Sequence, residues 1–226
     1  MRKIEFAVGE TYHVFNRGVD KRDIFLDDRD YYRFVKSLYE FNDEQPAFNT
    51  YNQLKNWNMN TGQGSIPLYK IDRQPLVDIF VFTLMSNHYH LMIRQIKPDG
   101  IVRFMQKLGT GYTMYFNKRY ERAGSLFQGK FKAVHINTEA QFLYLPHYIH
   151  TNPLASYRGR TSIEKLLEYR WSSFSAYAGK RGFDRVSSRR ALLDMYGGVD
   201  GYLRFTSERL ESGDVLGDEV KRVIIE

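Results

Sequence analysis

The order of elements in this sequence predicts an α+β domain: a ferredoxin-like, four-stranded antiparallel sheet with helices packed on one face. Three observations carry that prediction. Apolar residues recur at three- and four-residue spacing in some stretches, other stretches are rich in β-branched and aromatic residues, and the two kinds follow one another as strand, helix, strand, strand, helix, strand, helix.

The first strand is Thr11 to Asn16 (TYHVFN), ended by Arg17-Gly18. Asp27-Asp28 then supplies an N-terminal cap and favourable charge for a helix running to about Phe41, whose apolar stripe is Tyr31, Phe34, Val35, Leu38 and Phe41. Between residues 42 and 75 Asn, Gln, Gly and Pro dominate and the periodicity fails, so this segment reads as an inserted excursion. Leu76 to Met85 is a nearly continuous apolar run fit for a central strand. Ser86-Asn87 makes a tight turn into a second strand, His88 to Ile96.

Asp99-Gly100 opens a long helix with Ile101, Phe104, Met105, Leu108, Tyr112, Tyr115 and Phe116 on one face; Gly109 and Gly111 inside it lower helix stability unless something must approach closely. After Gly124, residues Leu126 to Ile136 read as the fourth strand. Asn137-Thr138 caps a last core helix from Glu139 to about Thr151, closed by Asn152-Pro153. Pro146 lies inside it, where it either restarts the helix or kinks it. Residues 1–180 read as one domain. Residues 181–226 read as a helical C-terminal extension, with Leu192, Leu193, Tyr196, Tyr202, Leu203 and Phe205 to pack as small helices over the sheet's open face.

Composition narrows the chemistry. With no cysteine in 226 residues, disulfides, thiolate metal sites and cysteine nucleophiles are excluded. No run of eighteen apolar residues exists to span a membrane. The basic pair Arg2-Lys3 is followed by no apolar targeting segment, so the expectation is a cytoplasmic protein. The net charge is +7, and seven basic residues against two acidic ones place most of it between residues 98 and 135. Aromatics interleave with these charges, as in surfaces that neutralise phosphates and stack bases.

His88-Tyr89-His90 puts two imidazoles on one face of a strand, half of a metal site. Any third ligand must be an oxygen donor or another histidine. Asn152 is a candidate, and Tyr148, four residues earlier, shares its helix face; Tyr144 extends that face by another turn. Spacing alone does not choose a nucleophile among the tyrosines.

Four ordered strings make the sequence recognisable: TYHVFNRGVDKRDIF from Thr11, LMSNHYHLM from Leu84, YTMYFNKRYERAGSLFQGKFKA from Tyr112 and YIHTNP from Tyr148. Together they resemble the single-tyrosine transposases of the HUH nuclease superfamily, of the REP-associated tyrosine transposase type, from about Thr11 to Tyr177, the excursion at residues 42–75 excluded. The resemblance implies Tyr148 as the nucleophile and His88, His90 and Asn152 as ligands of a divalent metal, Mg2+ or Mn2+. It implies cleavage and rejoining of single-stranded DNA through a 5′-phosphotyrosine, with hairpin or palindromic repeats recognised. It places DNA contacts at Arg17, Lys118, Arg119, Arg122, Phe127, Gln128, Lys130 and Lys132. Phe127 and Phe131 could instead alternate inward and leave Lys130 and Lys132 as a phosphate-contacting edge. The same residues suit a replication-initiator nickase, or a non-catalytic, domesticated DNA-binding protein. The sequence also leaves open whether two protomers associate as a homodimer and exchange the Tyr148 helix.

Overall fold

The computed structural model describes residues 4–45, 73–156 and 161–212. Seven elements form the core in the predicted order: β1 (Thr11–Arg17), α1 (Asp28–Glu40), β2 (Val77–Met85), β3 (His88–Gln95), α2 (Gly100–Arg119), β4 (Lys132–Ile136) and α3 (Glu139–Thr151). The strands form one sheet in the order β2-β3-β1-β4, with every pair antiparallel. Three short helices, α4 (Ile163–Glu168), α5 (Phe174–Tyr177) and α6 (Arg190–Met195), and the longer α7 (Val199–Ser212) follow among the described residues.

Local chemistry explains the ends of these elements. The Asp27 side chain accepts hydrogen bonds from the Arg29 and Asp30 amides and so starts α1. Thr138 does the same for α3 through the Gln141 amide. The excursion is pinned where it leaves the sheet: the buried Asn42 carboxamide accepts from the Leu76 and Val77 amides and donates to the Val77 carbonyl. Residues 46–72 of the excursion and 213–226 of the C-terminal extension lie outside the described residues.

One face of the sheet offers Tyr12, Val14, Tyr89, Leu91 and Ile93 to α1 and α2, which bury Phe34, Leu38, Phe104, Leu108 and Tyr112 against it. Gly111 allows the two helices to meet, because a Cβ there would lie 2.5 Å from the Phe41 ring. The opposite face is covered as well, by α3 together with the C-terminal helices expected there, which corrects the expectation that the core helices share one face. There Phe80, Val81, Met92 and Ile136 pack against Leu145 and Ile149 of α3 and against Phe174, Tyr177, Leu192 and Tyr202. The reason lies in β2, where a register shift between Ile79 and Val81 makes a bulge that lets consecutive Phe80 and Val81 serve this second face. A strand apolar on both sides needs cover on both sides.

The Trp171 to Tyr177 stretch protects the outer edge of β2. The Leu84 amide donates to the Trp171 carbonyl at 2.9 Å and the Ser173 amide to the Phe82 carbonyl at 3.0 Å. The fourth strand is shorter than expected, since residues 126–131 do not join the ladder beyond an isolated Gly18–Phe127 bridge. Gly129, at φ +79°, turns the chain out of extended geometry just before β4.

Candidate active site

Strand pairing assembles the site on the α3 side of the sheet. In the β1–β3 ladder Arg17 stands opposite His88, Phe15 opposite His90 and His13 opposite Met92. Alternation therefore sends His13, His88 and His90 to the same face. The His88 and His90 rings lie 5.1 Å apart and nearly perpendicular, and His13 and His90 are fully buried. The half-buried Tyr148 ring meets His90 edge-on at 5.9 Å and His13 at 6.1 Å. One helical turn on, Asn152 Oδ1 sits 3.3 Å from His88 Nε2.

So the chain brings Tyr148, His88, His90 and Asn152 together. Tyr144 stacks its edge on His147, which in turn meets Phe205 of α7. Pro146 neither restarts α3 nor diverts Tyr148, because the helix runs on through Thr151 and then tightens into a 3-10 turn, Asn152–Ser156.

The histidine hydrogen bonds decide which nitrogens face outward. His88 Nδ1 lies 2.5 Å from Asn87 Oδ1, while Asn87 Nδ2 donates to the Lys21 carbonyl and thereby fixes the amide's orientation. Oδ1 only accepts, so His88 Nδ1 carries a proton, and in the neutral imidazole Nε2 presents a lone pair. That lone pair faces the Asn152 carbonyl oxygen, another acceptor. Two acceptors 3.3 Å apart repel unless a proton or a metal cation joins them, and adjacent ligands of an octahedral ion at about 2.1 Å stand roughly 3 Å apart. Two imidazoles and an amide oxygen thus fit a borderline divalent ion completed by phosphate and water. Among the described residues no three His, Cys, Asp or Glu side chains gather to make a different metal site.

The string NRGVDKRDIF has a structural task here. Its Gly18 amide donates to the Asn87 carbonyl at 2.9 Å and the Ile24 amide to the Ser86 carbonyl at 2.7 Å, which clamps the turn that carries Asn87 and His88. Gly18 is required there, since a Cβ would lie 2.2 Å from the Arg22 carbonyl oxygen.

Beside His88 opens a cavity of about 270 Å³ lined by Phe15, Asn16, Arg17, Gln128 and Lys132. Three expected DNA contacts, Arg17, Gln128 and Lys132, therefore border the candidate metal ligand. Lys130 lines a separate groove of about 630 Å³ between α2 and residues 125–131, with Phe131 and the exposed Met114. Lys118 is exposed near the end of α2, and Arg122 donates to Asn117 Oδ1 at 3.0 Å.

Two expected contacts have other work. Phe127 is 7% exposed and packs edge-on to Tyr89 at 5.9 Å, with Tyr112 at 6.4 Å, so no base stacks on it while it fills the core. Arg119 is engaged by Asp27, which caps α1, and by Asp30 within it. The Asp30 carboxylate is fully buried, and an isolated buried charge is untenable. It accepts from Arg119, the Tyr115 and Tyr120 hydroxyls and the Leu26 amide. Arg119 holds the Asp27 carboxyl below its usual range, against the effect of partial burial. Burial first, and then the Asp30 charge, push the Tyr115 phenol up. Arg119→Ala is expected to lower folding stability by roughly 2–3 kcal/mol in denaturant titrations, because Asp30 loses its counter-charge. If the chain binds hairpin DNA, the same substitution is expected to leave the salt dependence of that binding unchanged.

Sequence reasoning missed His13, Asn87 and the role of His150. His150, in the last turn of α3, is wholly buried, with Nε2 2.7 Å from Ser173 Oγ and Nδ1 2.5 Å from the Tyr202 hydroxyl. Burial pushes its pKa down to about 3.

Residues 67–152 match the family model of the IS200-like transposases. The matched segment is less than half of the chain. It contains both histidines of the pair, the tyrosine and the asparagine, so the four groups that meet in space all fall within the IS200-like transposase match. A solved REP-associated tyrosine transposase bound to a REP hairpin has the same fold, with a TM-score of 0.51 at 13% identity over 81% of this chain and 89% of that one. Comparison with curated proteins returns no match. No helix among the described residues is long and apolar enough to cross a membrane.

Proposed function

We propose that this protein is an IS200-like transposase that cleaves and rejoins single-stranded DNA beside a hairpin or palindromic repeat, with Tyr148 as nucleophile. The single observation that carries this reading is the phenol of α3 set against the His88–His90 pair and Asn152 within one chain. That the fold is shared with a transposase solved on a REP hairpin supports hairpin DNA as the substrate class.

In the proposed step Tyr148 Oη attacks a backbone phosphorus and loses its proton to solvent. The P–O3′ bond breaks, the departing 3′ oxygen takes a proton, and the 5′ phosphate stays on the tyrosine. A second 3′-hydroxyl can reverse this without ATP, because the phosphotyrosine keeps the ester energy. Arg17 and Lys132 beside His88 would neutralise the non-bridging oxygens of the entering strand. A free phenol ionises near pH 10, so only about 0.1% is phenolate at neutral pH and the site must assist. Bound to His88, His90 and Asn152, Mg2+ or Mn2+ would supply Lewis-acid polarisation of the phosphate.

The test is a hairpin-bearing single strand labelled at its 3′ end, incubated with the protein and Mn2+ and resolved on a denaturing gel. The 3′ label is expected in a protein adduct, and chelation with EDTA abolishes it. Hairpin binding with no adduct on any strand would overturn the catalytic reading in favour of a DNA-binding protein without chemistry.

A further inference from the structure

We infer that His13 is a positioning residue that fixes which nitrogen of His90 is offered to the metal, an inference that rests on the metal-site reading above. His13 Nε2 lies 2.9 Å from His90 Nδ1, both side chains are wholly buried, and their rings are nearly parallel at 5.1 Å. With Nδ1 engaged, His90 has only Nε2 left as a ligand. A nitrogen can ligate only if it carries no proton, so the His90 proton must sit on Nδ1 and His13 Nε2 must accept it.

His88 is held the same way by a different acceptor, since Asn87 Oδ1 takes its Nδ1 proton. The two candidate ligands thus have matched supports, one from the hairpin turn and one from the neighbouring strand. Strand parity makes this possible: His13 and His90 lie diagonally across the β1–β3 ladder on one face, with Phe15 opposite His90. The reversed arrangement, with His13 donating, would leave the proton on His90 Nε2 and close the site to a cation. His13 itself has its Nε2 occupied by this contact, which makes it a support and not a third imidazole ligand.

Two measurements on the full chain test this. In the metal-free protein at pH 8.5, two-bond 1H–15N correlation spectra should show His90 as the Nδ1–H tautomer. Finding His90 protonated on Nε2 would overturn the inference. In the second, free Mn2+ is followed by electron paramagnetic resonance during titration. His13→Phe, which fills the space without an acceptor, is expected to raise the Mn2+ Kd about 10- to 100-fold. His13→Gln, whose Oε1 can stand where Nε2 stood, is expected to restore most of the affinity, a rescue that simple loss of packing would not give. If His13→Phe binds Mn2+ as tightly as wild type while His88→Ala does not bind, the positioning role fails and the metal site stands. If wild type and His88→Ala bind alike, the metal site itself fails and this inference with it. Near-ultraviolet circular dichroism reports whether His13→Phe folds, and the His90 tautomer in the wild-type spectrum decides the matter if it does not.

Discussion

Tyr148→Phe is expected to abolish the covalent protein–DNA adduct, a loss of at least about a thousandfold, while hairpin affinity changes by less than about threefold. The substitution removes one oxygen and keeps the ring that packs edge-on against His90 and His13. No other group of the site can form a phosphotyrosine, so the chemistry should vanish without a change in the fold. Tyr144→Phe is the necessary contrast. Its ring rests on His147, one turn away along α3, and full adduct yield is expected from it. An adduct that survives Tyr148→Phe and disappears with Tyr144→Phe would transfer the nucleophile to Tyr144. Peptide mapping of the adduct gives the same answer independently.

The sequence disclosed elements better than it disclosed contacts. Periodicity located β1, α1, the β2–β3 hairpin, α2 and α3 within a few residues, because each carries its own apolar spacing and its own cap. The His-x-His spacing also placed both imidazoles on one face, a consequence of strand geometry alone. His13 was invisible by that logic, since its partnership with His90 depends on the register between two strands separated in sequence by more than sixty residues. The basic stretch misled for a related reason. Arg119 looks like any surface arginine until Asp30, from a different helix, is found buried beside it. Phe127 and Lys132 differ in role because Gly129 turns the chain between them, which the aromatic-basic alternation concealed. Helices on one face were expected because the bulge at Phe80, which supplies two consecutive apolar residues to the other face, leaves no mark in a continuous apolar run.

Acid is expected to weaken the hold on α3 through His150, and His150→Gln should remove that sensitivity. A chain of hydrogen bonds crosses from the sheet to the C-terminal helices through this imidazole. The Phe82 amide donates to Ser173 Oγ, the Ser173 hydroxyl reaches the Phe82 carbonyl, and Ser173 Oγ meets His150 Nε2. The Tyr202 hydroxyl meets Nδ1. Each atom is satisfied when His150 is neutral with its proton on Nε2 and Tyr202 donating to Nδ1. A second proton would sit on Nδ1 against that hydroxyl, in a wholly buried place among Phe174, Tyr177 and Tyr202, with His147 also opposing positive charge. Burial, the larger cause, and then His147 hold the pKa at about 3, against the ordinary 6.5 of the unfolded chain. Between those two values the unfolded chain binds the proton and the folded protein does not, so stability rises with pH and falls as acid is added. The contribution is fully present above pH 6.5. It declines by about 1.4 kcal/mol per pH unit below that, or roughly 2–3 kcal/mol by pH 4.5. Urea unfolding at pH 7.5 and 4.5 measures it as the difference between wild type and His150→Gln. The substitution lowers stability at pH 7.5, and the gap should narrow or reverse at pH 4.5. Parallel losses in the two proteins over that interval would mean that His150 is not the group that charges on unfolding. Because α3 carries Tyr148 and leads directly into Asn152, His150→Gln should also reduce adduct yield at neutral pH without touching the reacting atoms. That outcome would distinguish the second histidine of the chain's last core helix, which anchors the nucleophile's helix, from the two histidines of β3 that face it.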